Sequence, residues 1–398
     1  MDYQEVDYLI VGAGCAGLSL AYHLAQRVEL DSSVLILDSK PAFEDDRTWC
    51  FFDIEEHLFS DLVKHTWQNC RLIDNSGSTD APCGRRKYSM IKSRDFYDRV
   101  VNVLDSDERF ELVLGESIES MRSRVGSVEV TTDRRVIKAK QVFDSRPLAW
   151  ARLLHSGARP FLLQQFVGWT IETAADEYSF DTDTAILMDF STRDDQSISF
   201  IYTLPLSPTR ALVEATVLSR KPTSRLRLTR QLERYLEKKE IRFFEILSRE
   251  QGVIPMSAAF SRDRFEGRIL NIGLRGGLAR PSSGYAFLNI QRDSKIISDS
   301  IVGGVKVGDK LKHYQYPQMD ILMDEVMLGV LEKNPHLFSE LMIKLFQRCD
   351  TESLIRFLSG KAEIMDYAKV ANAMPFKDIF IKASGGLDMG IMKYVRTK

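Results

Sequence analysis

The stretch from Tyr8 to Gly17, YLIVGAGCAG, constrains this chain more than any other ten residues. Tyr8 to Val11 is continuously apolar and β-branched, the pattern of a strand buried on both faces. Glycines follow at the spacing Gly-x-Gly-x-x-Gly, and Leu18 to Gln26 then reads as a helix. After an acidic turn, Val34 to Leu37 repeats the strand pattern and ends on Asp38, 21 residues beyond Gly17. A glycine triplet alone is a weak signal. Strand, helix and acid at these spacings predict a βαβ unit that binds a dinucleotide. Gly12 permits the tight turn, Gly14 lets backbone approach a pyrophosphate, and Gly17 lets helix and strand pack closely, with Ala13 inside the loop. The helix N-terminus offers free N–H groups and partial positive charge to phosphates. Asp38 can accept hydrogen bonds from the adenosine ribose.

The middle of the chain reads as β, with strands over 128–132, 135–143, 197–203 and 210–218, interrupted by helical patches at 93–104 and 225–247. Near Ile269 the first pattern returns, an apolar strand followed by Gly273 and Gly276-Gly277. From about 309 onward Met, Leu and Phe recur at helical spacing. The expected class is α/β with an α+β second domain: a Rossmann-like FAD-binding domain of the two-domain flavoprotein type, an inserted β-rich substrate domain and a helical C-terminal region. The expected boundaries are 1–90 plus about 248–308 for the first domain, which can take in 91–147, about 148–247 for the second, and 309–398 for the helical region.

Composition closes other routes. Lys+Arg 54 against Asp+Glu 56 gives a net charge of −2, with no basic run to attract nucleic acid. Cys15, Cys50, Cys70, Cys83 and Cys349 form no CxxC, and the six His form no HxxxH, so neither a disulfide framework nor a metal site is expected. No apolar run approaches the ~18–20 residues of a spanning helix. Acids precede the first apolar run, the reverse of a secretory leader. A cytoplasmic protein, soluble or peripheral to a membrane, is expected.

Two segments carry chemistry. In the hairpin Phe200–Leu218, strand alternation puts Leu212, Glu214, Thr216 and Leu218 on one face and Ala211, Val213, Ala215 and Val217 on the other. A carboxyl in such surroundings is desolvated and held protonated, as alkene protonation requires, unless it pairs with an Arg such as Arg210 or Arg146. In Leu270–Phe287, Gly276-Gly277 lets backbone pass close to a flat ligand. Pro281-Ser282-Ser283 resembles a helix start whose N-terminus could face the pyrimidine edge of a flavin. Arg47 could approach a cofactor pyrophosphate. The aromatics after it could line a pocket or pack beneath a loop, and Asp144-Ser145-Arg146 reads as a tight polar turn.

These residues are also where the chain resembles the flavin-dependent lycopene cyclase family, of the bacterial lycopene β-cyclase type. The resemblance runs through Gly12–Gly17, Arg47-Thr48-Trp49 with Phe51, Phe143–Arg146, Gln165–Trp169, Leu204–Arg210 and Val213–Thr216. It continues through Gly276-Gly277, Pro281–Tyr285 and Arg356–Gly360. It implies a redox-neutral cyclisation of the ψ-ends of lycopene to β-ionone rings, in carotenoid biosynthesis. FAD acts in its reduced form, and NAD(P)H serves only to set that state. The implied cofactor contacts are Gly12, Ala13, Gly14, Gly17, Asp38, Arg47, Gly276, Gly277, Ser283 and Gly284. The family motif Glu-Glu/Asp-Thr supplies the catalytic glutamate, and its first acid falls on Glu214; Ala215 stands where a second acid is usual. Flavin hydroxylases carry an Asp after the first Gly of the late loop, whereas Leu274 follows Gly273 here. So insoluble a substrate implies peripheral contact with a bilayer through exposed apolar residues of the C-terminal helices. The alternatives are a flavin-dependent monooxygenase or halogenase, a cyclase of another polyene or meroterpenoid, and a non-enzymatic flavin-binding protein.

Overall fold

In a computed structural model, residues 2–147, 160–174, 178–192, 197–258, 264–313 and 317–374 are described. The expected segment 148–247 thus loses its first twelve residues from view, and the helical region its tail after 374.

The first sheet begins with β1 (Asp2–Val11), which the glycine loop joins to α1 (Cys15–Ala25), followed by β2 (Val34–Asp38). Further strands are β8 (Phe110–Leu114), β9 (Ile118–Arg124), β10 (Ser127–Thr132), β11 (Arg135–Asp144), β17 (Phe265–Glu266) and β18 (Ile269–Asn271). The order is β17-β18-β11-β1-β2-β8, with β10 and β9 attached to β11. The five strands from β18 to β8 pair in parallel, which puts the switch in strand order beside β1, where doubly wound sheets bind ligands. α1 packs against α4 (Phe287–Val302), so segments more than 250 residues apart contribute to one core.

The second sheet runs β16 (Phe244–Met256), β12 (Leu162–Thr173), β15 (Arg210–Ser219), β14 (Ile198–Pro205), β13 (Thr184–Asp189), β5 (Asn69–Asp74), β6 (Gly77–Pro82). It therefore draws strands from 69–82 and 244–256, on both sides of the expected 148–247 segment. Across the β5–β6 hairpin, Cys70 and Cys83 Sγ stand 3.3 Å apart as free thiols, a proximity their sequence separation does not reveal. A small third sheet, β3 (Thr48–Phe52), β7 (Tyr88–Lys92) and β4 (His65–Trp67), bridges the other two; α2 (Ser93–Leu104) follows β7 directly.

One face of the second sheet packs on α3 (Arg225–Lys238), through Val167, Trp169, Val213, Ala215, Leu228 and Leu232. This helix is shorter than the expected 225–247. Glu240 turns the chain at φ 61°, Ile241 N–H donates to Leu236 O, and the residues after Phe243 leave as β16. The opposite face lies under α6 (Gln318–Lys333), α7 (Phe338–Arg348), α8 (Thr351–Leu358) and α9 (Ile364–Ala373), preceded by α5 (Val307–His313). Among the described residues, no helix is long and apolar enough to cross a membrane.

Candidate active site

A cavity of about 930 Å³ extends from the glycine loop to the C-terminal helices. At its first end lie Gly12, Gly14, Asp38 and Arg47; at its centre Glu214, Ser283 and Gly284; at its far end Met323, Met327, Met342 and Phe346. The residues expected from sequence at positions 12, 14, 38, 47, 214, 283 and 284 therefore share one space. Ala13, Gly17, Gly276 and Gly277 do not line it.

Backbone geometry builds the first end. Gly12 sits at φ 97°, and a Cβ there would stand 2.4 Å from Ser145 Oγ. A Cβ on Gly17 would stand 1.9 Å from Gly12 O, so only glycine lets α1 start against the loop. Asp38 Oδ2 accepts from Ala13 N–H at 2.6 Å and Oδ1 from Lys40 N–H at 2.8 Å, so the acid also fastens the loop. Ser145 Oγ donates to Val11 O and Gly12 O. The buried Asp144 beside it is held by Arg146 at 2.9 Å and Arg275 at 3.2 Å. The polar turn 144–146 thus braces the glycine loop and ties it to the late loop. Gly276 serves that late turn itself, because a Cβ there would meet Asn271 O at 2.4 Å.

Pro281-Ser282-Ser283 does not open a helix. Gly284, at φ 75°, donates to Arg280 O, and Arg280 N–H donates to Tyr285 O, which closes a turn ahead of α4. Ser282 Oγ is engaged elsewhere, donating to Asp324 on α6 at 2.6 Å. The guanidinium of Arg280 is buried, pairs with Asp320 and Asp324, and lies 4.1 Å from the Phe357 ring centroid. This bolt to α6 and α8 fixes Ser283, Gly284 and Tyr285 at the cavity wall. Trp49 and Cys50 line the cavity, while Phe51 stacks on Phe287 in the core at 5.0 Å, so the aromatic run is divided between pocket and packing.

Side chains in cross-strand register build the centre. On β15, Leu212, Glu214, Thr216 and Leu218 face away from α3, as alternation predicts, and Val213, Ala215 and Val217 face it. Opposite Glu214 stand Tyr202 on β14 and Gly168 on β12, and opposite Gly168 stands Glu250 on β16. Neither arginine foreseen as a partner reaches Glu214: Arg210 pairs with Glu172 and Arg146 with Asp144. Its carboxyl is raised well above the ordinary range by burial first, then by the charge of Glu250 and a hydrogen bond with it; Lys92 and Arg47 pull the other way. Burial and Glu250 thus both favour the protonated form of Glu214, which lines the cavity.

Sequence reading missed Glu250, Thr48, Lys92 and the tyrosines. Thr48 Oγ1 donates to Glu250 Oε2 at 2.8 Å, and Lys92 Nζ lies 3.4 Å from Thr48 Oγ1. Tyr202 and Tyr88 hydroxyls are 2.9 Å apart, and Tyr285 OH donates to Tyr88 at 3.3 Å. Burial raises all three phenols, keeping them neutral. All three line the cavity.

A glycine loop on a parallel sheet, and a second sheet closing a large cavity against it, define the two-domain flavoprotein class. The structure is similar to a flavin-dependent brominase (TM-score 0.64, 13% identity, 99% of this chain and 100% of that one). It is also similar to a flavoprotein/dehydrogenase from Cytophaga hutchinsonii (TM-score 0.62, 12% identity, 96% and 100%). Within that class the chain belongs to the lycopene cyclase family: the family described as "Lycopene cyclase protein" matches residues 7–383. It is 27% identical over 293 residues to the lycopene beta-cyclase of Pantoea ananas, covering 70% of each chain. It is 23% identical over 342 residues to the chloroplastic lycopene beta cyclase of Nicotiana tabacum, covering 82% of this chain and 64% of that longer one.

Proposed function

We propose that this protein is a flavin-dependent lycopene β-cyclase, converting ψ-ends to β-ionone rings without net redox change. The observation that carries the reading is a buried Glu214, its carboxyl pushed well above the ordinary range by burial, midway along a cavity with a glycine loop at one end and a Met- and Phe-lined end at the other. FAD fits the first end on the structure's own terms: Gly12 and Gly17, where no Cβ fits, open space beside Gly14, an uncapped α1 N-terminus and Asp38 at the strand tip. Gly12, Gly14, Asp38 and Arg47 would hold its adenosine and pyrophosphate, and Ser283 and Gly284 its ring. When bound in the reduced state, set by NAD(P)H, FAD supplies negative charge that stabilises a nearby carbocation.

This chain's residues do the rest. Glu214 donates its proton to C2 of the terminal alkene, giving a tertiary cation at C1. The 5,6-alkene attacks C1, the ring closes, and loss of the C6 proton leaves the β-ring. One proton enters and one leaves. Tyr202, Tyr88 and Phe166 exclude water from the cation and face it with aromatic rings. The apolar far end accommodates the polyene.

The polyene comes from a bilayer. Ile364 and Met365, 86% and 66% exposed on the first turn of α9, support a peripheral membrane contact at the cytoplasmic face near the cavity's apolar end. Expression in cells that accumulate lycopene, with pigments separated by chromatography, tests the reaction: β-ring carotenoids are expected. Unchanged lycopene, or oxygen consumed in proportion to NAD(P)H, would contradict it.

A further inference from the structure

Gly168 looks anomalous in the middle of a twelve-residue central strand, where glycine has no side chain to pack and weakens the sheet. Its φ is not in the left-handed region, so backbone conformation does not demand it. Space does. A Cβ at 168 would stand 2.7 Å from Glu214 Cγ, 2.9 Å from Glu214 Oε1 and 3.2 Å from Glu250 Cγ. The missing side chain is what allows two acids, each 9% exposed and on strands that do not touch one another, to meet over β12.

We propose that Glu250 is the positioning partner of the catalytic acid, and that Glu214 and Glu250 hold one proton between them across Gly168. The proposal rests on the cyclase reading above and extends it to a residue which that reading does not use. With no carbocation beside them, two buried carboxyls in contact do not both ionise, so the resting pair retains a proton at neutral pH. The asymmetry of the site decides which member delivers it. Glu214 lines the cavity, whereas Glu250 does not and accepts the Thr48 hydroxyl instead. Facing the pair are Tyr202 from β14, Thr48 and Cys50 from β3, Lys92 from β7, and Arg47 just before β3. In turnover the O–H bond of Glu214 breaks as the C2–H bond forms. The proton released from C6 returns to the pair, so neither electrons nor protons accumulate. Between those events the pair carries two negative charges beside the cation, which favours the cation and pulls the proton back.

The test is an infrared pH titration of the holoenzyme, following the C=O stretch of a protonated carboxyl, with turnover profiles measured in parallel. In the wild type the band persists through neutral pH, and Glu214→Gln removes it. Glu250→Gln is expected to move its titration to lower pH by about one unit or more, the coupling that defines a shared proton. The alkaline limb of kcat should move with it while KM stays unchanged. Gly168→Ala, which wedges a methyl group between the acids, should move the band in the same direction, and Glu250→Asp should restore part of the shift. A Glu214 titration unmoved in both Glu250→Gln and Gly168→Ala would overturn the pairing. Turnover preserved in Glu214→Gln would instead overturn the cyclase mechanism and leave the pairing intact.

Discussion

The two halves of the cavity are built by opposite means. At the first end backbone does the work: Gly12 and Gly17 without room for a Cβ, open space at Gly14, a helix start and the Ala13 N–H fastened by Asp38. At the centre side chains do it: Tyr202, Glu214, Gly168 and Glu250 form a row across four strands, and function depends on register. A backbone site binds a constant ligand and tolerates little. A register-built site can change its chemistry by changing one side chain, which suits a fold it shares with a brominase.

This contrast can be broken experimentally, starting at the centre. Glu214→Gln should lower turnover by about 10²–10⁴-fold, the usual worth of general acid catalysis, while bound flavin, read by absorbance, stays at wild-type levels. Parallel loss of flavin would show that the two halves are not independent. At the first end, Gly17→Ala puts a methyl group 1.9 Å from Gly12 O. It should strip the purified protein of flavin at a cost of roughly 3 kcal/mol or more, whereas full flavin content would deny the loop its role.

Acid should loosen the first end before the centre. His23 on α1, hydrogen-bonded to Gln291 on α4, is lowered to about 4 chiefly by burial. A folded-state value below the unfolded one makes the neutral ring stabilising above about pH 6.5, and that stabilisation is lost as pH falls towards 4. The loss amounts to about 3 kcal/mol at most. Denaturant melts across this window should show the slope, and His23→Gln should flatten it. The smallest effect belongs to the opposite face of β15. Ala215→Asp would bury an acid against Leu228 and Leu232, costing about 1–3 kcal/mol in thermal melts. The alkaline limb of turnover should not move, because residue 215 faces away from the cavity; movement would mean that the two faces communicate.

The same contrast explains what could be read in advance. The glycine loop is contiguous and its constraints are steric, so ten residues declare it. Glu214 was legible because β15 alternates cleanly. Glu250 was not, for two reasons. The charged run before it continues the periodicity of α3, and a register shift between Thr170 and Ile171 breaks the alternation of β16, with Ile246 opposite Ile171 and Ser248 opposite Thr170. The turn at 280–285 was misread as a helix start because Ser282 bonds to Asp324, a residue 42 positions away. No local pattern carries that partner.

At the heart of the proposed reaction a protonated, buried Glu214 delivers a proton to an alkene and a proton is returned. Cyclisation in deuterated water, with reduced flavin and without oxygen, tests it through the product's mass spectrum. One deuterium for each ring formed and no net consumption of reductant are expected, with rings and label both falling by about 10²–10⁴-fold in Glu214→Gln. Rings without deuterium, or reductant consumed in step with product, would contradict it.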